Sequence, residues 1–538
     1  MRDGVARAGR IGAWVAVAVG MITAAALLRP ARLIPTDDPR VAEYRDVLVA
    51  GFTLVRGGLV AGAILAIASG LFWRRGVGRH ERIRLGARDI VCAAIPLLLF
   101  CAIAIPHLGD SLQWDELGSL NRVARRGPTV ILTFASAANN HILNSLGLWV
   151  TLNTIGESEA KLHLIPFALG AMGVLVVWWG VRPKGRVAAT IAAATLAGHI
   201  AFVNHTTEAR GYAGATTFAV ASCFLFAGLL RGGGRGWTAA YIMCAVAACG
   251  FVATTVLVPA AHGLVAIVVY VRRPSGPGRV AATNAVFACL WVGVVAAVCF
   301  GVPIPQVLDY ARTRASYDHL PVGVELAAAV VHYLTAAETV GAGLFLLGVA
   351  GYGWWQLRSD GDVAAAFLFP IAATVGYVLL PGSHASPRFF SFLLATFTVG
   401  FGVGVVALTR CGWSGWIVAA AAISLFVWQD AMMLARFWSP GRPDVRHLAT
   451  TLAGERVALT GLQADVNLYY FSDALAFRTF PSAGELERVM VVIEGSILGP
   501  DPNPALRAAG FEPIERVDSW LPDQTAYLVY RRTTPIRP

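Results

Sequence analysis

Ile90-Val91-Cys92-Ala93-Ala94-Ile95-Pro96-Leu97-Leu98-Leu99-Phe100-Cys101-Ala102-Ile103-Ala104-Ile105 carries no charge, and Gly109-Asp110-Ser111-Leu112-Gln113-Trp114-Asp115-Glu116 follows closely behind it. With its flanks, the apolar run reaches the roughly 20 residues that a helix needs to cross the hydrocarbon of a bilayer. Two adjacent carboxylates then lie where a membrane span ends. An acidic pair at that depth can act as a general base, hold a cation, or cap the next helix, whose N-terminus favours negative charge.

Runs of this kind recur along all 538 residues, of which 56% are hydrophobic and 14% charged, with mean hydropathy +0.62. That composition excludes a soluble enzyme. Only helices and closed barrels satisfy their backbone in lipid, and these runs are too long and continuous for barrel strands. The pattern predicts spans near 11–29, 47–73, 89–108, 162–181, 187–204, 212–230, 237–252, 254–271, 281–301, 337–356, 363–381, 390–408 and 416–436. The first run, Ile11 to Leu28, has a basic start but no convincing cleavage site before Arg29-Pro30, so it reads as a span and not a signal peptide.

The net charge of +11 does not point to nucleic acid, because the arginines gather in short loops such as Arg74 to Arg84. The basic loops 1–10, 74–88, 181–186, 231–236, 272–279 and 409–415 all fall on one side of this arrangement, as the positive-inside rule requires of the cytoplasmic side. The N-terminus is then cytoplasmic and the C-terminus outside. The expected fold is an α-helical polytopic membrane protein with about thirteen transmembrane helices and a small C-terminal extracytoplasmic α/β domain. Its divisions are 1–88, an N-terminal helix pair with a basic loop; 89–436, a transmembrane catalytic domain with outer loops 109–161 and 302–336; and 437–538, the α/β domain. In that last part Arg456-Val457-Ala458-Leu459-Thr460 and Val489-Met490-Val491-Val492-Ile493 read as buried strands, and Pro504 to Ala509 as a short helix stopped by Gly510. The eight cysteines fall in spans or at a cytoplasmic edge, without disulfide or zinc spacing.

Three polar clusters gather at outer span ends. The first is Asp115-Glu116. The second is Asn204-His205-Thr206-Thr207-Glu208-Ala209-Arg210-Gly211-Tyr212, in a connection so short that its three ionisable side chains must lie at the membrane face. If helical, His205 and Glu208 share one face at i, i+3; a solvated turn with a Glu208–Arg210 pair is the plain alternative. The third is Gly382-Ser383-His384-Ala385-Ser386-Pro387-Arg388-Phe389-Phe390. An arginine costs about 2.5–3.5 kcal/mol at the centre of a span and less near the interface, so Arg388 is paired, functional, or snorkelling to headgroups. Arg56, within the second span, is in the same position and has no assigned function. Between the first two clusters, Pro128 to Thr151 alternates apolar stretches with Asn139-Asn140-His141 and Asn144, which suits amphipathic helices lying in the interface plane.

Carboxylates, cations and imidazoles around one membrane face suit attack on a phosphate-linked, lipid-anchored substrate. A carboxylate takes the proton of an acceptor hydroxyl, and arginine grips the departing phosphate in bidentate fashion while offsetting its charge. The order of the features is an acidic pair after a span, an interfacial segment with Asn-His, Ser158-Glu159 before the next span, then Glu208-Ala209-Arg210-Gly211-Tyr212. This order resembles the GT-C glycosyltransferases, most closely the bacterial relatives of protein O-mannosyltransferases and of the lipid A aminoarabinose transferase. It covers roughly residues 89–410 and leaves out the two N-terminal spans.

The resemblance implies a GT-C-like fold and an inverting transfer of a hexosyl or pentosyl group from a polyprenyl-phosphate donor. The acceptor is a hydroxyl of a glycolipid, polysaccharide or protein, at the outer face of the plasma membrane. It implies Asp115 as the base with Glu116 beside it and Glu208 in the loop motif. Asn140, His141, His205, Arg210, Tyr212, His384 and Arg388 form the expected substrate-binding set. Relatives often carry His-Pro-Pro where Asn140-His141-Ile142-Leu143-Asn144 stands here, and arginine where Leu162-His163-Leu164 stands. Asp115, Glu116, His141, His205, Glu208 and His384 include good ligands for a divalent cation; oligosaccharyltransferase-like members use a metal and closer relatives do without, so a divalent cation is possible here but no essential metal and no cofactor are expected.

A competing reading is a lipid-carrier or solute transporter with the clusters as an outer vestibule. Transporters tend to show repeated halves and polar residues near the bilayer midplane. No repeat is evident here, and most charges lie at span ends. A structural membrane subunit would not need three separate charged clusters.

Overall fold

The computed structural model describes residues 2–28, 45–73, 86–134, 140–273, 275–313, 323–380, 386–438, 449–452, 457–460, 475–477, 491–494, 510–518 and 525–532. The chain opens with α1 (Arg2–Leu27) and α2 (Arg45–Phe72), then α3 (Ala87–Ala104). A short 3-10 turn, Ile105–His107, ends α3, with Pro106 inside it and Ile105 still in right-handed helical space (φ −58°, ψ −42°). A segment with three short helices follows, α4 (Trp114–Arg122), α5 (Pro128–Thr133) and α6 (Ile142–Thr154). Next come α7 (Glu159–Val181), α8 (Arg186–Gly198), α9 (Ile200–Thr206), α10 (Tyr212–Leu230), α11 (Arg235–Phe251), α12 (Leu257–Arg272) and α13 (Gly276–Phe300). After α14 (Ile304–Thr313) and α15 (Val324–Thr335) the helices are α16 (Val340–Leu357), α17 (Gly361–Val378), α18 (Phe392–Leu408) and α19 (Gly412–Trp438).

The chain is a multi-pass membrane protein. Among the described residues, eight helices are long and apolar enough to cross a bilayer, and ten if each of two bent pairs is one span. Ile11–Leu27 of α1 and Phe392–Leu408 of α18 are shorter apolar helices. α11 has 17 residues.

The expected continuous span 187–204 is broken: α8 and α9 meet at 65°, where Gly198 weakens the helix and the His199 side chain accepts the Ala201 N–H instead. The expected outer loop 302–336 contains α14 and α15, and α15 runs into α16 with a 61° bend.

Lipid is as apolar as leucine, so the bundle holds by close packing through small residues. α10 is the most enclosed candidate span, with 78% of its apolar window buried. Against the α8 alanines and α16, α18 presents Gly400, Gly402 and Gly404. A Cβ at Gly353 would lie 1.8 Å from the Gly400 carbonyl oxygen, so those backbones touch. α2 joins the bundle through α13, where the Trp291 indole donates to Ser69 Oγ at 3.1 Å.

The C-terminal part contains β1 (Val457–Thr460), β2 (Leu475–Phe477), β3 (Val491–Glu494), β4 (Phe511–Asp518) and β5 (Thr525–Arg532), in the order β2-β1-β3-β5-β4. β1 runs parallel to β2 and β3, while β5 is antiparallel to β3 and β4. β1 lies within the first strand read from the sequence, and β3 overlaps the second at Val491 to Ile493. The helix expected at Pro504 to Ala509 lies outside the described residues.

Candidate active site

Asp115 and Glu116 begin α4, and their neighbours separate them completely. Glu116 turns back on its own helix: its Oε2 accepts the Gln113 N–H at 2.7 Å, one arm of a capping box. Its Oε1 accepts the Ala209 N–H at 2.5 Å and faces His163 Nε2 at 3.0 Å. Its side chain has no exposed surface. His163 Nδ1 donates to the Leu108 carbonyl at 2.8 Å, so the ring bridges that carbonyl and Glu116. Helix capping, the plain reading of an acidic pair, therefore falls to Glu116, which also ties α4, α7 and the 207–211 loop together.

Asp115 faces the other way. Its Oδ2 lies 2.7 Å from Arg210 Nη1 and 3.6 Å from Arg388 Nη1, and its side chain keeps 16% exposure. Arg210 comes from the loop after α9, and Arg388 from the 3-10 turn Pro387–Phe390 before α18. Three segments distant in sequence thus converge on one carboxylate. Burial works to lower the Arg210 guanidinium, but Asp115, together with Glu208 and Glu116, more than offsets it and keeps the group charged.

The loop between α9 and α10 is built by close approach. A Cβ at Gly211 would lie 2.3 Å from the Phe251 carbonyl oxygen and 2.9 Å from His141 Cβ, so only glycine fits. Arg210 lies over the Tyr212 ring, 4.9 Å from its centroid. Glu208 accepts the Asn204 amide at 2.5 Å and lies 3.9 Å from His205 Nδ1. His205 Nε2 meets the Tyr333 hydroxyl of α15 at 2.7 Å.

The segment from α5 to α6 contributes unevenly. The Asn140 amide donates to the Ile131 and Phe134 carbonyls at 2.8 and 2.6 Å, and its Oδ1 accepts the Ser145 hydroxyl at 3.0 Å. Asn140 thus ties α5 to α6. His141 comes closer to the centre: its Nδ1 donates to the Phe251 carbonyl at 2.9 Å, and its ring meets the Tyr212 ring edge-on at 5.1 Å. Burial, helped by the Arg210 charge, pushes His141 down to about 3 against the opposing pull of the Phe251 bond, so the imidazole is neutral. Nδ1 carries the proton, and the buried Nε2 lone pair has no hydrogen-bond partner. Asn144 donates to the Ala209 carbonyl at 2.7 Å, fixing the same loop from a second side.

Asp115, His141, His205, Glu208, Arg210, Tyr212 and Arg388 are therefore brought together at one end of the bundle, with Glu116 and Asn140 holding its framework. His384 lies outside the described residues. Among the described residues no three His, Cys, Asp or Glu side chains converge as metal ligands would. The sequence reading missed Tyr333 and gave His163 no role. The available signals were a histidine at the start of an apolar helix and a tyrosine on the last turn of α15.

No protein-family profile matches this sequence, and no curated protein matches it. Solved structures do. ArnT from Cupriavidus metallidurans bound to undecaprenyl phosphate superposes with a TM-score of 0.51 at 14% identity, covering 84% of this chain and 98% of ArnT. Its apo state gives 0.50 at 12% identity, covering 82% and 97%. The archaeal oligosaccharyltransferase AglB from Archaeoglobus fulgidus, in complex with an inhibitory peptide and a dolichol-phosphate, gives 0.46 at 11% identity over 76% of this chain and 69% of AglB. The chain therefore has a GT-C-like polytopic membrane fold, shared along nearly the whole length of ArnT.

Proposed function

We propose that this protein is an inverting glycosyltransferase that moves a sugar from a polyprenyl-phosphate donor to an acceptor hydroxyl at the outer membrane face. The observation that carries the reading is Asp115 held between Arg210 and Arg388 at the end of the bundle. The ArnT fold, solved with undecaprenyl phosphate, supports the same class of donor.

The chemistry follows from the charges. At rest Asp115 and Glu208 balance the two guanidiniums. A donor phosphate competes with Asp115 for Arg210 and Arg388, and its arrival leaves the Asp115 carboxylate available to a proton donor. The acceptor hydroxyl passes its proton to Asp115 while its oxygen attacks the anomeric carbon from the side opposite the phosphate. The bond from that carbon to the phosphate oxygen breaks, and polyprenyl phosphate leaves with the electron pair, held by the arginines. The neutral His141 offers its Nε2 lone pair to a hydroxyl of either substrate.

The test is release of undecaprenyl phosphate from a radiolabelled undecaprenyl-phosphate sugar by the purified protein, with label appearing in an added membrane-lipid extract. Donor that is carried across a vesicle membrane intact, without release, identifies a transporter instead. Orientation is checked separately by labelling a cysteine introduced within 470–530 from outside intact cells.

A further inference from the structure

Among the described residues two helices are broken inside the bundle, and lipid cannot satisfy the backbone groups that a break exposes. Neither the α8–α9 bend nor the α15–α16 bend contains a proline, the usual cause of a sharp kink. Side chains hold them instead. At the first, the Ile200 N–H donates to Asp430 Oδ1 at 2.9 Å and the Ala201 N–H donates to His199 Nδ1 at 3.3 Å. With Nδ1 accepting, the His199 proton sits on Nε2, which donates to the Leu334 carbonyl of α15 at 3.0 Å. At the second, Ala336 adopts a left-handed conformation (φ 54°), and the Glu338 N–H donates to Gln429 Oε1 at 3.1 Å. Gln429 and Asp430 are consecutive residues of α19, so one turn of that helix receives both breaks.

The site hangs from the first break. α9 carries Asn204 and His205, Asn204 holds Glu208, and Arg210 follows two residues later. Through the second break, α15 delivers Tyr333 to His205. Asp430 itself is 4% exposed, and its Oδ2 has no hydrogen-bond partner. A carboxyl group left half-satisfied within a membrane helix is costly, and such residues are functional by default.

We propose that Asp430 is a positioning residue: by accepting the Ile200 N–H it fixes the α8–α9 break and so places Asn204, Glu208 and Arg210 in the site. The proposal rests on the glycosyl-transfer reading only for what those groups do once placed. Its geometry requires an acceptor and no charge, so asparagine serves in the role and alanine does not.

The full-length protein in lipid nanodiscs, with undecaprenyl phosphate as the probe, provides the test. The variants are D430A, D430N, I200P and I200P/D430A. His199 already has the extended backbone that a residue before proline prefers, and proline is tolerated at a first helical position, so I200P removes the donor while sparing α9. D430A is expected to weaken probe binding by about fivefold or more, the loss of one buried hydrogen bond, and to raise deuterium exchange of residues 199–212 by a similar factor. D430N stays near wild type in both, I200P matches D430A, and the double variant is no worse than either single one.

Wild-type binding and exchange in D430A would overturn the proposal, as would a D430N as impaired as D430A. A fall in melting temperature with binding unchanged would also overturn it, because it assigns a purely structural role. If D430A does not fold, I200P carries the same comparison alone. If the wild-type protein does not bind the probe, the donor reading fails, and the exchange of residues 199–212 in D430A and D430N decides the positioning role by itself.

Discussion

Each end of the bundle carries carboxylates set among guanidiniums, and the two clusters differ in how complete they are. Asp89, at the start of α3, accepts from Arg182 at 3.1 and 3.0 Å, from Arg186 at 2.6 and 3.4 Å, and from the Gly86 N–H at 3.0 Å. Nearby, Asp360 pairs with Lys184 and Arg231, and Asp362 lies 3.7 Å from both Arg231 and Arg273. These charges stand at helix ends and on the turns that join them, and are spent on one another. At the other end Asp115 shares its Oδ2 between two arginines from distant segments, and both His141 Nε2 and Arg388 Nε are buried without a hydrogen-bond partner. Charge at a span end therefore does not mark a site; unspent hydrogen-bonding capacity does.

Replacing Asp115 breaks the comparison hardest. D115N keeps the shape and removes the basic oxygen, and turnover should fall about 10²–10⁴-fold, the usual contribution of a general base. E116Q should slow turnover far less, because its side chain is consumed by Gln113, Ala209 and His163; its effect belongs in the melting temperature. Measured kcat at saturating donor and matched folding separates the two, and near-normal transfer by D115N would remove it as the base.

Next in size are the arginines. R210K keeps a charge but loses the planar fork, and should raise the donor concentration needed for half-maximal rate by about tenfold, roughly the value of one charge-assisted bond. R388K should do less, since Arg388 is farther from Asp115 and more exposed. Equal, unaltered donor dependence in both variants would assign the arginines to structure.

How much of this was legible beforehand depends on the distance between partners. Periods of apolar residues and loop arginines revealed the membrane class, and the order of short motifs pointed to residues that do converge. Their division of labour was not readable. Asp115 and Glu116 are neighbours of the same chemistry, yet a rotation of about 100° on a helix sends them to different partners. For Glu116 those partners lie 47 and 93 residues away. Asn140 looked like a binding residue because an exposed amide and a loop tie have the same letter. The α8–α9 bend was hidden because its acceptor, Asp430, is 230 residues from Ile200.

A smaller effect on turnover is expected at His141, where pH provides the measurement. Its folded value of about 3 lies below the ordinary 6.5 because burial and Arg210 disfavour the cation. The neutral ring thus stabilises the fold fully above about 6.5, and that contribution is lost as pH falls toward 3, by at most about 1.4 kcal/mol per unit. H141Q, whose amide can still donate to Phe251, should flatten the decline in melting temperature between pH 6.5 and 4 while changing turnover at pH 7.5 only a few-fold. An unchanged acid profile would mean that another group controls it.

The smallest effect on turnover should come from the Asp89 cluster, and it is the one that most sharpens the contrast. D89N puts an amide NH₂ where a carboxylate oxygen received two guanidiniums, so one contact becomes a donor facing donors. Arg182 and Arg186 then face each other across a neutral group, and α3, α7 and α8 lose the bond that draws these ends together. The melting temperature should fall visibly. The donor-dependent rate, measured well below that temperature, should stay at the wild-type value, because no residue of the Asp89 cluster reaches Asp115, Arg210 or Arg388. A slowed rate in fully folded D89N would show that the two ends are mechanically linked through α3 and α7, and that completeness of pairing is not enough to separate a staple from a site.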